Sequence, residues 1–196
     1  IQGTIPANRS SFAVKGAIHH PDACFRAELE KRLKGKGITL DKQKIEDGER
    51  HALLTTVSPF LKDIVYYTNK NSINLFAEAL GELISPTDYA RTVKAELSGM
   101  GIDSCGITLK DASGLSPANA VPAEVFTDLL IWAKGHLSDA FVASLPQGNV
   151  DWGLRVYSDH PVLRENVIAK TGSMSGVRAL AGYLKNQKGE TLAFTI

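Results

Sequence analysis

Cysteine is scarce: Cys24 and Cys105 are the only two in 196 residues, too few and too far apart for a metal cluster or a Cys-x-x-Cys redox pair. One disulfide and two buried thiols both stay open, with the two thiols slightly favoured. An excess of charge of one sign is missing too. With 22 basic and 21 acidic residues and a net charge of +1, charge gives no reason to expect nucleic acid or a membrane surface as partner, so any ligand has to be recognised locally. No uninterrupted apolar run approaches the roughly 20 residues a spanning helix needs, and Ile1-Gln2-Gly3-Thr4-Ile5-Pro6 lacks the charged start and apolar stretch of a signal peptide. His19, His20, His51, His136 and His160 show no His-x-x-x-His spacing beside a carboxylate, so a zinc hydrolase finds little support. Gly172-Ser173-Met174-Ser175-Gly176 fails the Gly-x-Ser-x-Gly register and is followed by a strand-like run instead of a helix, which argues against an α/β-hydrolase.

What is present is enough for one sizeable core: 43% hydrophobic and 22% charged residues are ordinary for a globular domain. The pattern around Ser11-Phe12-Ala13-Val14-Lys15 reads as a short strand, broken by His-His-Pro at 19–21. A charged helix then runs from Asp22 to Gly35-Lys36-Gly37, and Ile38-Thr39-Leu40 reads as a second short strand. Helices are expected over 59–70 and 72–83, the latter with Leu75, Ala79 and Leu83 on one stripe widened by Phe76 and Leu80, both packing into the core. Pro86-Thr87-Asp88 opens a helix to about Met100, and 122–136 forms another with Val125, Leu129 and Trp132 on one face. Asp111-Ala112-Ser113-Gly114-Leu115-Ser116-Pro117 is a turn-rich loop. Runs at 167–172, 179–184 and 191–196, joined by polar glycine-containing connections, predict an antiparallel three-strand meander. Trp132, Tyr183 and Phe194 read as core residues.

The residues with most chemical promise are Lys170-Thr171-Gly172: an ammonium and a hydroxyl on a strand, then a glycine where another backbone can approach. An extended peptide could pair along the strand edge while Lys170 and Thr171 meet its terminal carboxylate. Taken alone, Lys170 could equally be an edge lysine. Ser72-Ile73-Asn74 offers a hydroxyl and an amide two residues apart before an apolar helix, where a serine is first of all a cap.

Together, Ser-x-Asn on a helix and Lys-Thr-Gly on a later strand make two-thirds of the signature shared by penicillin-binding proteins and serine β-lactamases. Residues 67–78, the Asp111-Ala112-Ser113-Gly114-Leu115-Ser116 loop, the run 170–177, Phe141-Val142-Ala143-Ser144-Leu145-Pro146 and Gly3-Thr4-Ile5-Pro6 resemble the D-Ala-D-Ala carboxypeptidase/endopeptidase family of class C low-molecular-mass penicillin-binding proteins, over nearly the whole chain. Two positions depart from that family's pattern: Ile73 stands where Asp or Asn is usual, and Ala112 where glycine is common. A third departure is larger, because no lysine here has a serine three residues before it, and Ser-x-x-Lys carries the family's nucleophile.

The resemblance implies an α+β fold of the penicillin-binding type, incomplete in this chain, with residues 1–18 as the tail of an insertion domain and 19–196 as the C-terminal part of the catalytic domain. It implies a serine-type D-Ala-D-Ala carboxypeptidase, or an endopeptidase, acting on peptidoglycan stem peptides through an acyl-enzyme. The nucleophile lies upstream, so these residues alone are expected to be inactive. Ser72, Asn74 and Lys170 are the implied catalytic residues. Thr171, Gly172 and the Ser173 backbone N–H are the implied substrate-binding groups. No metal or cofactor is implied, β-lactams are the expected inhibitors of the intact enzyme, and the location is the bacterial periplasm or cell envelope. The rival reading is a cell-envelope protein of the same fold that binds peptidoglycan peptides or a partner without catalysis.

Overall fold

Where an apolar stripe ends in this chain, a turn residue usually takes over, and the elements follow those boundaries. The structure is a computed structural model, which describes residues 7, 11, 18–40, 52, 54–148, 150, 151, 154 and 159–196. It divides into two units, Ile1–Thr55 and Thr56–Ile196. In the first, helix α1 (Pro21–Gly35) starts with proline in its first turn and has no buried residue. Gly37 at φ 76° closes it, with Ile38 N–H on Leu33 O and Gly37 N–H on Lys34 O, the paired bonds of a Schellman end. Ile38 and Leu40 are exposed and belong to no strand, which corrects the strand expected there: a strand of this length needs a neighbour to satisfy its backbone. The strand expected at 11–15 lies, but for Ser11, outside the described residues.

The second unit carries helices α2 (Leu61–Asn71), α3 (Asn74–Ile84), α4 (Tyr89–Gly99), α5 (Ala123–His136), α6 (Asp139–Ser144) and α7 (Pro161–Asn166), then strands β1 (Val167–Met174), β2 (Val177–Lys185) and β3 (Thr191–Thr195). The strands form one antiparallel sheet in the order β1-β2-β3, the meander expected from the sequence. Its first connection is shorter than expected, because Ser173 and Met174 pair with Arg178 and Val177, leaving Ser175 and Gly176 as the turn.

Helix α5 covers the sheet. Leu130 packs with Leu145 and Tyr183, and the Tyr183 hydroxyl donates to Leu130 O at 2.6 Å, so the one polar atom of a nearly buried ring is satisfied. A second cluster, Leu97, Ile102, Ile107 and Val125, joins α4 to α5, with Leu129 and Trp132 against it. A third, Leu154, Val167 and Ala169, lies under the start of β1, with Phe194 against it. Helices α2 and α3 depart from expectation. Leu75 and Leu83 are 75% and 78% exposed, and Gly81 is the one buried residue of α3. Both cysteines are free thiols and exposed, so the two-thiol reading holds but the burial does not.

Candidate active site

The join between α2 and α3 shows what Ser72 does not do. Ile73, not Ser72, is the N-cap of α3, and no side chain makes a capping bond there. Ser72 instead closes α2 in the left-handed region, φ 53° and ψ 54°, and it is the one described non-glycine residue with positive φ. Glycine is the usual occupant of such a position, and an L-residue there costs about 1 kcal/mol or more. The backbone is closed by Ile73 N–H on Thr68 O at 3.1 Å. The expected helix start at Ser72 is therefore corrected to Asn74, because Ser72 is the hinge and not the first turn. Its free hydroxyl lies 2.9 Å from Lys170 Nζ, 98 residues away in sequence.

Lys170 sits where β1 changes character. Ala169 N–H donates to Pro146 O at 2.9 Å and Gly148 N–H donates to Val167 O at 3.0 Å, with an antiparallel bridge between Gln147 and Ile168. On that side the backbone is thus satisfied up to Ala169. Backbone groups of an antiparallel strand alternate sides. Val167 and Ala169 point away from β2, so Thr171 and Ser173 direct their N–H and C=O groups to the same edge. Beyond Ala169 no described strand lies beside it. The Lys170 ammonium donates to Thr171 O at 2.7 Å as well as to Ser72, and burial lowers its pKa from the ordinary lysine value. A cation, a hydroxyl and outward N–H groups therefore meet at an unpaired strand edge, a suitable seat for an extended chain ending in a carboxylate. Gly172 is not required by packing: a Cβ there would meet Ala179 Cβ at 3.5 Å, an ordinary contact. Asn74 opens α3 two residues from Ser72 and is exposed.

Behind these residues, Ile73 lines an apolar groove with Ile64, Tyr67, Phe76 and Leu80, so the residue that departs from the usual Asp or Asn puts an apolar side chain against apolar neighbours. The Asp111 loop is held by two carboxylates. Asp111 accepts from Gly114 N–H at 2.8 Å, Ser116 N–H at 2.5 Å and Asn119 Nδ2 at 2.7 Å, while Glu78 on α3 accepts from Ser113 N–H at 3.0 Å and Ala112 N–H at 3.3 Å. Tyr89 beside them has its pKa raised, by burial first and then by the charges of Glu78 and Asp111.

The family comparison covers all of this: residues 1–196 match the D-Ala-D-Ala carboxypeptidase 3 (S13) family. The chain belongs to that family. Among relatives of the S13 family, it is 30% identical to a D-alanyl-D-alanine carboxypeptidase of Actinomadura sp., covering 100% of this chain and 40% of that protein, and 29% identical to the carboxypeptidase DacB of Haemophilus influenzae, covering 99% and 44%. The crystal structure of penicillin binding protein 4 (dacB) from Haemophilus influenzae, complexed with a novel β-lactam, superposes with a TM-score of 0.81 at 29% identity, over 94% of this chain and 46% of that one. This S13 chain thus has the penicillin-binding fold in part, and spans less than half the length of these relatives.

Several residues that shape the candidate site are given no role by sequence reasoning: Asn69, Lys70, Glu78 and Ser144 stand only within the runs that carry the resemblance, and Asp151 stands in none of them. Each acts across a distance in sequence, as in Lys70 Nζ on Asp151 Oδ2 at 2.9 Å, and no local spacing announces such a pair. Beyond those runs, the signal available is the closeness of Asn69 and Lys70 to Ser72 in sequence.

Proposed function

We propose that this chain supplies the substrate-binding side and part of the proton-transfer apparatus of a serine-type D-Ala-D-Ala carboxypeptidase acting on peptidoglycan stem peptides in the bacterial cell envelope. The observation that carries the reading is the 2.9 Å contact between Lys170 Nζ and Ser72 Oγ at the open edge of β1. In this reading Lys170 and Thr171 hold the terminal carboxylate, Gly172 leaves room for the peptide backbone, and the outward Ser173 N–H donates to the developing oxyanion. Ser72 relays a proton and Asn74 orients the substrate amide. Residues 1–18 are assigned to the tail of an insertion domain, and 19–196 to the catalytic domain.

The attacking serine belongs to a Ser-x-x-Lys segment, which these 196 residues do not contain. Its oxygen bonds to the carbonyl carbon of the penultimate D-alanine. The C–N bond breaks, the released amine takes the proton, and water then cleaves the ester. A β-lactam follows the same path, with ring opening in place of D-alanine release.

The test is covalent labelling of the complete gene product with a fluorescent penicillin, read by intact mass, beside its Lys170→Ala variant and the present 196 residues alone. The expected result is a single adduct on the complete protein, a strong loss in Lys170→Ala and none on the 196 residues. No adduct on a folded complete protein overturns the reading in favour of a non-catalytic peptide binder, and near-normal labelling of Lys170→Ala removes the role assigned to Lys170.

A further inference from the structure

Ser72 and Lys170 are 98 residues apart in sequence, yet the residues beside each of them are tied to one stretch, residues 144–148 and 151. On one side, Lys70, two residues before Ser72, places its ammonium 2.7 Å from Leu145 O and 2.9 Å from Asp151 Oδ2. Asn69 Nδ2 donates to Ser144 Oγ at 2.8 Å, and the Ser144 hydroxyl donates onward to Phe141 O at 2.6 Å. On the other side, Pro146 O and Gly148 N–H hold Ala169 and Val167, immediately before Lys170. The same Asp151 oxygen that binds Lys70 accepts from Gln147 N–H at 2.7 Å, and Gln147 forms the bridge to Ile168. One carboxylate therefore ties the end of α2 to the segment that registers β1.

We propose that the Lys70–Asp151 ion pair, supported by the Asn69–Ser144 hydrogen bond, is a positioning clamp that fixes Ser72 against Lys170 and so sets the rate of acyl transfer. The proposal rests on the assignment of Ser72 and Lys170 to the site. The pair suits the task because it is shielded: the Lys70 and Asp151 side chains are 10% and 19% exposed, so it is weakly screened and each partner is fixed by a further hydrogen bond. The clamp also offsets a local cost, since it holds the end of a helix whose C-cap, Ser72, is in the left-handed region. An error of about 1 Å in such a contact is enough to cost about a hundred-fold in rate.

A clamp and an ordinary stabilising pair differ in what happens when both charges are removed. Breaking a buried pair from one side leaves an unpaired charge and destabilises, whereas removing both partners is often close to neutral. The experiment measures β-lactam acylation rate, its pH profile and thermal melting in the complete protein for Lys70→Met, Asp151→Asn, the double variant, Ser144→Ala and Ser72→Ala. The expected result is a melting temperature lowered in each single charge variant and recovered in the double variant, while acylation stays at least about ten-fold slow in all three and its basic limb moves toward that of Ser72→Ala. Acylation that recovers together with melting in the double variant overturns the clamp. Should the charge variants fail to fold, Ser144→Ala decides, since it deletes one hydroxyl: an unchanged rate and pH profile overturns the proposal, and a slowed rate at unchanged melting supports it. Wild-type acylation by Ser72→Ala is a different failure, that of the site assignment itself.

Discussion

Gly182 on β2 and Ala169 on β1 face each other across the ladder with no room for a Cβ between them. A methyl group on Gly182 would fall on Ile168 O and lie 2.5 Å from Ala169 Cα, and both obstacles are backbone that cannot swing aside. Gly182→Ala is therefore expected to destabilise the second unit by about 2 kcal/mol or more, the range of a small-to-large change in a packed core. Urea denaturation measures it, and a midpoint unchanged from wild type would show that the two strands can separate without loss.

The Asp111 loop invites a prediction of a different kind. Its carboxylate gathers two backbone N–H groups and the Asn119 amide, and a charged acceptor makes hydrogen bonds of the stronger class. Asp111→Ala is expected to cost about 2–3 kcal/mol, read in the same denaturation experiment, and Asp111→Asn less because its amide oxygen still accepts. Tyr89 gives a second reading of the same cluster. Its phenol ionises above the ordinary tyrosine range through burial and then through Glu78 and Asp111, so Asp111→Ala lowers the ultraviolet titration midpoint of Tyr89, and an unmoved midpoint contradicts the charge contribution.

The parts of this molecule legible in the sequence are those written in adjacent residues. The meander showed in three apolar runs with polar connections. The end of α1 showed in Gly37, which does take positive φ. The Lys170-Thr171-Gly172 strand stands out because an ammonium and a hydroxyl are followed directly by a glycine. The stripe on α3 was legible only halfway: periodicity says that Leu75 and Leu83 share a face, not that something covers it, and both are exposed. The run 38–40 has strand composition but finds no partner strand among the described residues. Residue type alone makes Ser72 first of all a cap, because serine before a helix usually is one, and its positive φ leaves no trace in residue type. The links from Asn69 and Lys70 to residues 144–151 span 75 to 81 positions, and no periodic pattern reaches that far.

Gly172 separates packing from binding. A Cβ there meets nothing closer than Ala179 Cβ at 3.5 Å, and alanine in a strand interior loses less backbone entropy than glycine on folding. Gly172→Ala is therefore expected to leave stability unchanged or raise it by about 0.5 kcal/mol. If a peptide backbone lies along the β1 edge, the same methyl group slows β-lactam acylation of the complete protein. Stability and acylation measured side by side decide the point, and a variant that acylates at the wild-type rate removes the close approach proposed at Gly172.

Lys170 offers a prediction in pH. Its amine is half-buried against the Ser72 hydroxyl and Thr171 O, and burial lowers its pKa from the model-peptide value of 10.5. Between the lowered value and 10.5 the unfolded chain binds the proton more readily than the folded one, so stability rises with pH through that window. Below the window both states are protonated, and the folded state carries the whole cost of a desolvated ammonium. Lys170→Met removes that cost. The variant is expected to be at least as stable as wild type at neutral pH, with the two stability curves converging as pH rises toward the unfolded lysine value. In the complete protein the same substitution is expected to slow acylation by about a hundred-fold or more, because a charge-assisted donor to the substrate is lost. Denaturant midpoints of both proteins across this pH range test the first part. Parallel curves would mean that Lys170 is as well solvated in the fold as in the unfolded chain, and its closeness to Ser72 would then carry no electrostatic consequence.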